Sequence, residues 1–251
     1  MYTIENPRRL LSFARRAIDD FAMIDAGDRL ALGLSGGKDS LSLLVALAKL
    51  REFYPKKYEL CAITVDLGFR DKHVDYTQIR SLCSSLGVEH IIVPSNIGPI
   101  VFEARKESNP CSLCAKLRRG ILNGAALQRG CNKVALAHHM DDAVETFYMN
   151  LLLVGRIDCF QAATYLDRSK LTVIRPLIYM PEKLIRAFAR DCALPVLSSC
   201  CPSNGRTERQ AIKEWIAAQS ADFDRLKTKT FGAMLRRELL GKPVRRGRTT
   251  L

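Results

Sequence analysis

The first stretch of the chain places apolar residues at helical spacing. Between residues 6 and 24, apolar side chains stand at positions 10, 11, 13, 14, 18, 21 and 24, and basic ones lie between them at Arg8, Arg9, Arg15 and Arg16. The pattern predicts a helix with one buried face and a basic outer face. A charged helix face of this kind is usually solvated, although it can also belong to a binding surface.

Downstream of residue 27, short apolar runs alternate with longer stretches of helix-forming residues. Strands are predicted at 28–34, 58–66, 88–93, 133–137 and 171–178, and helices at 39–51, 74–86, 115–123, 142–153 and 182–193. This alternation predicts an α/β fold, a doubly wound parallel sheet with helices on both faces. Further helices are expected at about 205–219 and 221–240. We expect three parts: an N-terminal basic helix at 1–27, the sheet domain at 28–200, and a helical C-terminal extension with a basic tail at 201–251.

The loop between the first predicted strand and helix has the composition of an anion site. Its residues are Ser35, Gly36, Gly37, Lys38, Asp39 and Ser40. The first amides of a helix lack partners within the helix and point outward at the positive end of its dipole. The glycines let a phosphate approach the backbone, Lys38 supplies a positive charge, and Asp39 could help to hold Mg²⁺. A plain turn capped by Ser35 or Asp39 would explain one of these residues but not the set.

A second polar segment follows the predicted strand 133–137. It contains His138, His139, Asp141 and Asp142. Because the carboxyl ends of parallel strands lie at one edge of a sheet, this segment should lie beside the glycine loop. The side chains could bind a metal, but Asp141 or Asp142 could also cap the next helix, with Glu145 completing the cap. Asp66 ends the predicted strand 58–66 at the same edge, where it either lines a nucleotide pocket or caps a loop.

Four of the nine cysteines stand out by their spacing. Cys111 and Cys114 form a CxxC pair, and Cys200 and Cys201 are adjacent. A CxxC pair can be half of a zinc site, a redox dithiol or part of an iron–sulfur cluster. A structural zinc site is poorly supported because the sequence has no second CxxC pair. A redox dithiol is poorly supported because this pair does not follow an early strand, as redox motifs do. Cys111, Cys114 and one of the adjacent pair would suit a [4Fe–4S] cluster with one open iron. The alternative is that these cysteines are ordinary core residues that share no function.

Composition and charge narrow the range of partners. The chain has 251 residues and a net charge of +13, which indicates a polyanionic partner, and RNA fits better than a membrane surface. The sequence contains no run of about 18 apolar residues that would span a membrane, and it does not open with a secretory signal. We therefore expect a cytoplasmic protein whose cysteines stay reduced.

The loop SGGKDS resembles the PP-loop of the ATP pyrophosphatase family, and further motifs resemble those of the tRNA 2-thiocytidine synthetases within it. These motifs are PCSLC followed by LRRGIL, AHHMDD within an HHxDDxxET pattern, and IRPL at 174–177. The resemblance runs from about residue 8 to residue 215. It implies an enzyme that splits ATP between the α- and β-phosphates, adenylates C2 of a cytidine in the tRNA anticodon loop, and replaces its oxygen with sulfur.

The resemblance also implies roles for particular residues. Lys38, Asp39 and Asp142 would act on Mg-ATP, and His138 or His139 would line the catalytic pocket. Three cysteines of the family hold a [4Fe–4S] cluster whose free iron carries the sulfur, so Cys111 and Cys114 would be ligands. The chain departs from the family's PCxxCG pattern near the third cysteine, which leaves Cys200 and Cys201 open as the third ligand; we prefer Cys201, which directly precedes a proline. The implied partners are tRNA, ATP and a sulfur donor such as a cysteine desulfurase.

The sequence leaves three other functions open. Related PP-loop enzymes thiolate uridine, although the lack of further cysteine pairs favours cytidine here. Lysidine synthetases share the loop and an HHxDD-like segment but need no CxxC pair. A redox-sensing RNA-binding module would keep ATP binding as a relic. The sequence also leaves open the tRNA set, the sulfur donor and the oligomeric state, including a homodimer.

Overall fold

The protein, described by a computed structural model, is built around a six-stranded sheet. The structure describes residue 4 and residues 7–69, 74–104, 110–198, 201, 207–223 and 225–244. The strands are β1 (Arg29–Gly33), β2 (Glu59–Asp66), β3 (Glu89–Pro94), β4 (Lys133–Ala135), β5 (Ala163–Leu166) and β6 (Leu171–Ile174). Their order is β3-β2-β1-β4-β6-β5, and every neighbouring pair is parallel except β5 with β6. The predicted parallel α/β class is therefore confirmed.

Eight α-helices accompany the strands in the described part of the chain. They are α1 (Arg8–Asp20), α2 (Lys38–Phe53), α3 (Thr77–Ser85), α4 (Pro110–Gln128), α5 (Met140–Met149), α6 (Glu182–Asp191), α7 (Glu208–Asp222) and α8 (Leu226–Arg236). Two π-helical turns lie at Pro99–Ala104 and Asn150–Val154. Each predicted helix is present, with its ends shifted. The second π-helical turn continues α5 and ends at Gly155, whose left-handed conformation (φ 72°) suits a residue without a Cβ.

Apolar side chains cover both faces of the sheet. One face packs against α2 and, around it, α1, α3, α5 and α6, while the other packs against α4 through Leu122 and Ala126. Helix α2 is buried along most of its length, from Ser40 to Ala48. Because the body of α2 is enclosed in the core, the loop at its start is held in a fixed place.

The strand order brings the two polar motifs together. From β1 the chain runs to β2 on one side, and it later returns as β4 on the other side of β1. Open α/β sheets bind ligands at the carboxyl ends of two such strands. The glycine loop follows β1 and the histidine–aspartate segment follows β4, so the motifs lie side by side as expected.

The edge strand β5 was not predicted. It has only four residues, most of them partly exposed, and it pairs antiparallel to β6. So short a segment offers no clear period of apolar residues. Within the described ranges, no helix has both the length and the apolar character needed to cross a membrane.

Candidate active site

The glycine loop takes a shape that requires glycine at one position. Gly36 has a φ of 81°, and a Cβ added there would lie 2.7 Å from the Leu197 side chain. The amide of Leu197 also donates a hydrogen bond to the Gly36 carbonyl at 3.0 Å. The segment that leads to residues 200 and 201 is thereby attached to the loop.

The serines of the loop stabilise its own backbone. The Ser40 hydroxyl donates to the Gly37 carbonyl at 2.9 Å and lies 3.1 Å from the Ser35 hydroxyl. The N-cap of α2 is Gly37, which has no side chain. Within the described residues, no side chain caps the start of this helix. The Ser35 hydroxyl accepts from the Gly37 amide at 3.4 Å, but neither Ser35 nor Asp39 is the N-cap of α2, which corrects that alternative. The first amides of α2 are left to bind an anion.

The second motif starts α5 in an unexpected way. Its N-cap is His139, whose Nδ1 accepts from the Asp142 amide at 3.3 Å, while the Asp142 carboxylate accepts from the His139 amide at 3.0 Å. Asp141 instead accepts from the Glu182 amide at 2.7 Å, at the start of α6. Of the caps considered from the sequence, Asp142 does take part, as the third residue of a capping box. The N-cap itself is the His139 side chain and not Asp141, which corrects that alternative.

The two histidines of this motif have different surroundings. His138 Nδ1 accepts from the Arg175 guanidinium at 3.1 Å, and its ring packs on Phe160 with 5.0 Å between ring centroids. Burial and the Arg175 charge lower the pKa of His138 to about 4, so this ring is neutral at pH 7. His139 Nε2 instead lies 3.4 Å from an Asp142 oxygen and 3.7 Å from an Asp39 oxygen. His139, not His138, contacts the two acidic residues of the motifs.

A cavity of about 350 Å³ opens where the two motifs meet, a size typical of small-molecule sites. Among the residues predicted from the sequence, its wall includes Lys38, Asp39, Cys111, His139, Asp142 and Cys201. The remaining wall residues are Glu145, Glu182, Thr207, Arg209, Gln210 and Lys213. The sequence did not assign those residues to a site, because they come from α5, α6 and α7 and form no contiguous motif.

Lys38 is held by two carboxylates. Its Nζ lies 3.0 Å from Asp39 and 3.1 Å from Glu182, and the second oxygen of Glu182 lies 2.7 Å from Lys213 Nζ. Burial lowers the pKa of Lys38, but both carboxylates outweigh burial and raise it above its ordinary value. Burial raises the pKa of Glu182, but Lys213 and Lys38 outweigh burial and hold it well below its ordinary value. Lys38 and Glu182 are therefore both charged at neutral pH.

Glu145 is the least satisfied group in the cavity wall. It is 3% exposed, and its Oε1 has no hydrogen-bond partner among the described residues. Its other oxygen lies 3.5 Å from Arg209. Burial and the negative charge of Asp142 raise the pKa of Glu145 above its ordinary value.

The cysteines predicted as cluster ligands are only partly assembled. Cys111 and Cys201 line the cavity, whereas Cys114 lies one turn beyond Cys111 on α4, 8% exposed, in contact with Arg118 Nη2 at 3.6 Å. Cys200 lies outside the described residues. Within the described ranges, no three cysteine, histidine or acidic side chains lie close enough to hold a metal ion. Two cysteine sulfurs on one cavity wall nevertheless fit an iron–sulfur cluster in their chemistry.

Asp66 stands apart from the cavity. Its Oδ1 accepts from the Gly68 amide at 3.0 Å, and its carbonyl accepts from the Ser95 hydroxyl at 2.5 Å. The loop-capping alternative considered from the sequence therefore describes the contacts that Asp66 makes here.

The fold and the loop define a PP-loop protein. A family model described as a PP-loop domain matches residues 9–217. The tRNA-cytidine(32) 2-sulfurtransferase of Geotalea uraniireducens (strain Rf4) is 41% identical over 202 residues, which is 80% of either chain. The protein of the same name from Citrifermentans bemidjiense is 38% identical over 244 residues, 95% of either chain. The chain therefore belongs to the tRNA-cytidine(32) 2-sulfurtransferase family within the PP-loop domain proteins.

A solved structure supports the fold. The U34-tRNA thiolase NcsA from Methanococcus maripaludis, determined with its [4Fe-4S] cluster, superimposes with a TM-score of 0.74 at 23% identity. The match covers 91% of this chain and 77% of that one. At this identity, the likeness concerns the arrangement of helices and strands alone.

Proposed function

We propose that the chain is an ATP-dependent tRNA sulfurtransferase that converts cytidine 32 of tRNA to 2-thiocytidine, with AMP and diphosphate as products. One observation carries the proposal: the uncapped start of α2 and two cysteines, Cys111 and Cys201, share one cavity. A phosphate site beside thiolates suits an enzyme that first activates a carbonyl oxygen and then replaces it with sulfur. The names of the relatives supply the tRNA, the nucleoside and its position.

Adenylation is the step for which the loop is suited. The C2 oxygen of cytidine attacks the α-phosphorus of ATP, a new O–P bond forms, and the bond to the β-phosphate oxygen breaks with its electron pair on diphosphate. The amides of α2 and the Lys38 ammonium would stabilise the charge that develops on the phosphates. Sulfide, as HS⁻, then adds to C2 and loses its proton, the bond between C2 and the former carbonyl oxygen breaks, and AMP leaves with that oxygen.

The charges of the cavity favour a divalent cation with ATP. Its wall has four acidic residues against three lysine or arginine residues, so its formal charge is negative before the triphosphate enters. Asp39 and Asp142 both approach His139 Nε2, at 3.7 and 3.4 Å. We propose that these two carboxylates bind Mg²⁺, which would offset the repulsion between the wall and the triphosphate.

The thiols provide the second half of the site. We propose that Cys111, Cys114 and Cys201 would hold a [4Fe–4S] cluster, with Cys200 as the alternative third ligand. When bound, a cluster with three cysteine ligands supplies an iron with an open position for sulfur. The start of α4, where Cys111 lies, favours negatively charged groups such as thiolates.

The surface and the cellular setting follow from the same proposal. The net charge of +13 suits an RNA partner, and α1 and α4 carry exposed basic residues, among them Arg9, Lys116 and Arg119. We propose a cytoplasmic location, a desulfurase-type sulfur donor and a homodimer. The three-part division at residues 27 and 200 also stays a prediction.

Nucleoside mass spectrometry of tRNA tests the proposal. A strain without this protein should lack 2-thiocytidine, and the wild-type chain should restore it. An unchanged nucleoside profile in that strain would refute the assignment, and loss of a thiouridine instead would identify the uridine enzyme.

Iron content separates the proposal from a lysidine-type ligase. Protein purified without oxygen should contain iron and acid-labile sulfide, Cys111→Ala should lose both, and Cys83→Ala, a core change away from the cavity, should keep them. Wild-type protein without iron would exclude the sulfur reaction. A redox-sensing RNA-binding module would give no diphosphate release with tRNA, ATP and sulfide.

A further inference from the structure

Helix α7 presents two cations to the cavity. Arg209 and Lys213 are four residues apart and therefore lie on one face of the helix, and both line the cavity. Their side chains are 42% and 35% exposed, so a ligand can reach them from the cavity mouth. The neighbouring face of α7 carries Ile212 and Ile216, which are buried in the main core and fix the helix in place.

Lys213 is joined to the loop lysine through one carboxylate. Glu182 contacts Lys38 Nζ with one oxygen at 3.1 Å and Lys213 Nζ with the other at 2.7 Å. A single carboxylate thus holds two ammonium groups that come from distant parts of the chain. Two cations so close together repel each other unless an anion lies between them.

The Arg209 guanidinium makes weaker contacts than a guanidinium group can make. Its Nη1 lies 3.4 Å from Asp142 and 3.5 Å from Glu145, and its Nη2 lies 3.3 Å from the Thr146 hydroxyl. No carboxylate in the described chain takes two parallel hydrogen bonds from this guanidinium. Since guanidinium groups bind phosphates through two such bonds, a phosphate would bind Arg209 better than the present carboxylates do.

We infer that α7 is the phosphate-binding arm of the active site, with Arg209 and Lys213 binding the β- and γ-phosphates of ATP. This inference rests on the proposed function. The loop amides and Lys38 hold the triphosphate from the side of α2, and the two α7 cations take up the charge of the diphosphate as it leaves. Glu182 is a positioning residue, because it keeps Lys38 and Lys213 turned toward the same point.

Nucleotide binding tests this arm without any tRNA. Titration calorimetry with Mg-ATP and with AMP should give about a tenfold weaker ATP affinity for Lys213→Met and for Arg209→Met, because each loses a charge-assisted hydrogen bond. AMP lacks the β- and γ-phosphates, so its affinity should not change, and this also shows that the variant site is folded. Lys213→Arg should recover ATP binding. Lys229→Met, an exposed lysine of α8, is the control.

Diphosphate alone provides a second measurement, since it occupies the phosphate region without adenosine, and its affinity should fall with that of ATP. Equal losses for ATP and AMP, or unchanged ATP binding, would overturn the inference. Those results would leave the proposed function intact. Wild-type protein that binds no ATP would instead refute the proposed function itself.

Discussion

Charged groups are buried at both ends of the parallel sheet, and the two ends differ in how those groups are paired. At the amino end, Lys133 is 7% exposed and its Nζ lies 2.9 Å from the Met23 carbonyl, 3.2 Å from Asp25 and 2.7 Å from Asp28. The other oxygen of Asp28 accepts from the Asn132 side chain at 2.7 Å. The Lys133 ammonium and the Asp28 carboxylate are therefore both fully paired.

The carboxyl end is arranged otherwise. There, Lys38 and Lys213 share Glu182, Arg209 has only longer single contacts, and Glu145 has an oxygen without a described partner. Buried polar groups are normally satisfied, so a cavity wall that is left incomplete indicates a place reserved for a ligand. The comparison teaches that buried charge alone does not mark a site in this protein; at the carboxyl end, incomplete pairing coincides with a cavity.

Removal of the amino-end lysine should have the largest effect of all. Lys133→Met leaves the Asp28 carboxylate buried without its cation, and we expect the free energy of unfolding to fall by about 3–5 kcal/mol. Denaturant unfolding measures this loss. Lys183→Met, at an exposed position of α6, is the matched control and should stay within about 0.5 kcal/mol of the wild type.

A paired change sharpens this prediction. In Lys133→Met combined with Asp28→Asn, the orphaned charge is also gone, so the double variant should lose less than the sum of the two single variants. A Lys133→Met protein as stable as the wild type would break the comparison, because the amino end would then not be a structural network.

The loop lysine should show the reverse pattern. Lys38→Met removes a cation that we place on the phosphates, and we expect the rate of tRNA-dependent diphosphate release to fall about a hundredfold. The free energy of unfolding should change by less than about 1 kcal/mol, because the lysine is one of several partners of Glu182. A variant that loses stability and keeps its rate would place Lys38 with the structural charges instead.

His138 should behave as a structural group although it lies at the carboxyl end. Its pKa is about 4 in the folded protein against an ordinary value of 6.5, so the unfolded chain binds the proton more tightly. Stability from neutral His138 is fully present above about pH 6.5 and is lost as the pH falls toward 4. Between about pH 7 and pH 5 the loss should be about 2 kcal/mol.

Urea unfolding of wild-type protein and His138→Asn across this pH range checks the prediction. Asparagine keeps an acceptor for Arg175 but does not titrate, so the difference between the two proteins should shrink or reverse in acid. Parallel stability curves would show that His138 is not the group responsible.

The parts that could be predicted from the sequence are those whose residues are contiguous. The loop at 35–40 and the segment at 138–142 were found because strand, turn and helix follow one another, and the parallel sheet then required them to meet. The positions of Arg209 and Lys213 in the cavity wall could not be predicted, since they depend on how α7 packs against α5, more than sixty residues earlier in the chain. Edge strand β5 was not predicted because it has only four residues, and its place in the sheet depends on pairing with β6, which its own sequence does not reveal.

The smallest predicted effect concerns the unsatisfied carboxylate. The pKa of Glu145 is raised in the folded protein by burial and by Asp142, so the folded state holds this proton more tightly than the unfolded chain does. Stability linked to Glu145 is therefore present at low pH and is lost as the pH rises from its ordinary value of 4.5 through the raised folded value. Glu145→Gln removes the charge and keeps the shape, and we expect about 1 kcal/mol of added stability at pH 8 and none in acid.

Thermal unfolding of both proteins at pH 8 and pH 4 measures this gain, with Glu52→Gln at an exposed position of α2 as the control for charge alone. The same substitution should slow diphosphate release, because a buried charge that destabilises the folded protein is retained for what the cavity binds. Lower stability in Glu145→Gln at pH 8 would show that Arg209 already satisfies the carboxylate. In that case the charged groups at both ends of the sheet would be fully paired, and the contact between Arg209 and Glu145 would no longer distinguish the carboxyl end from the amino end.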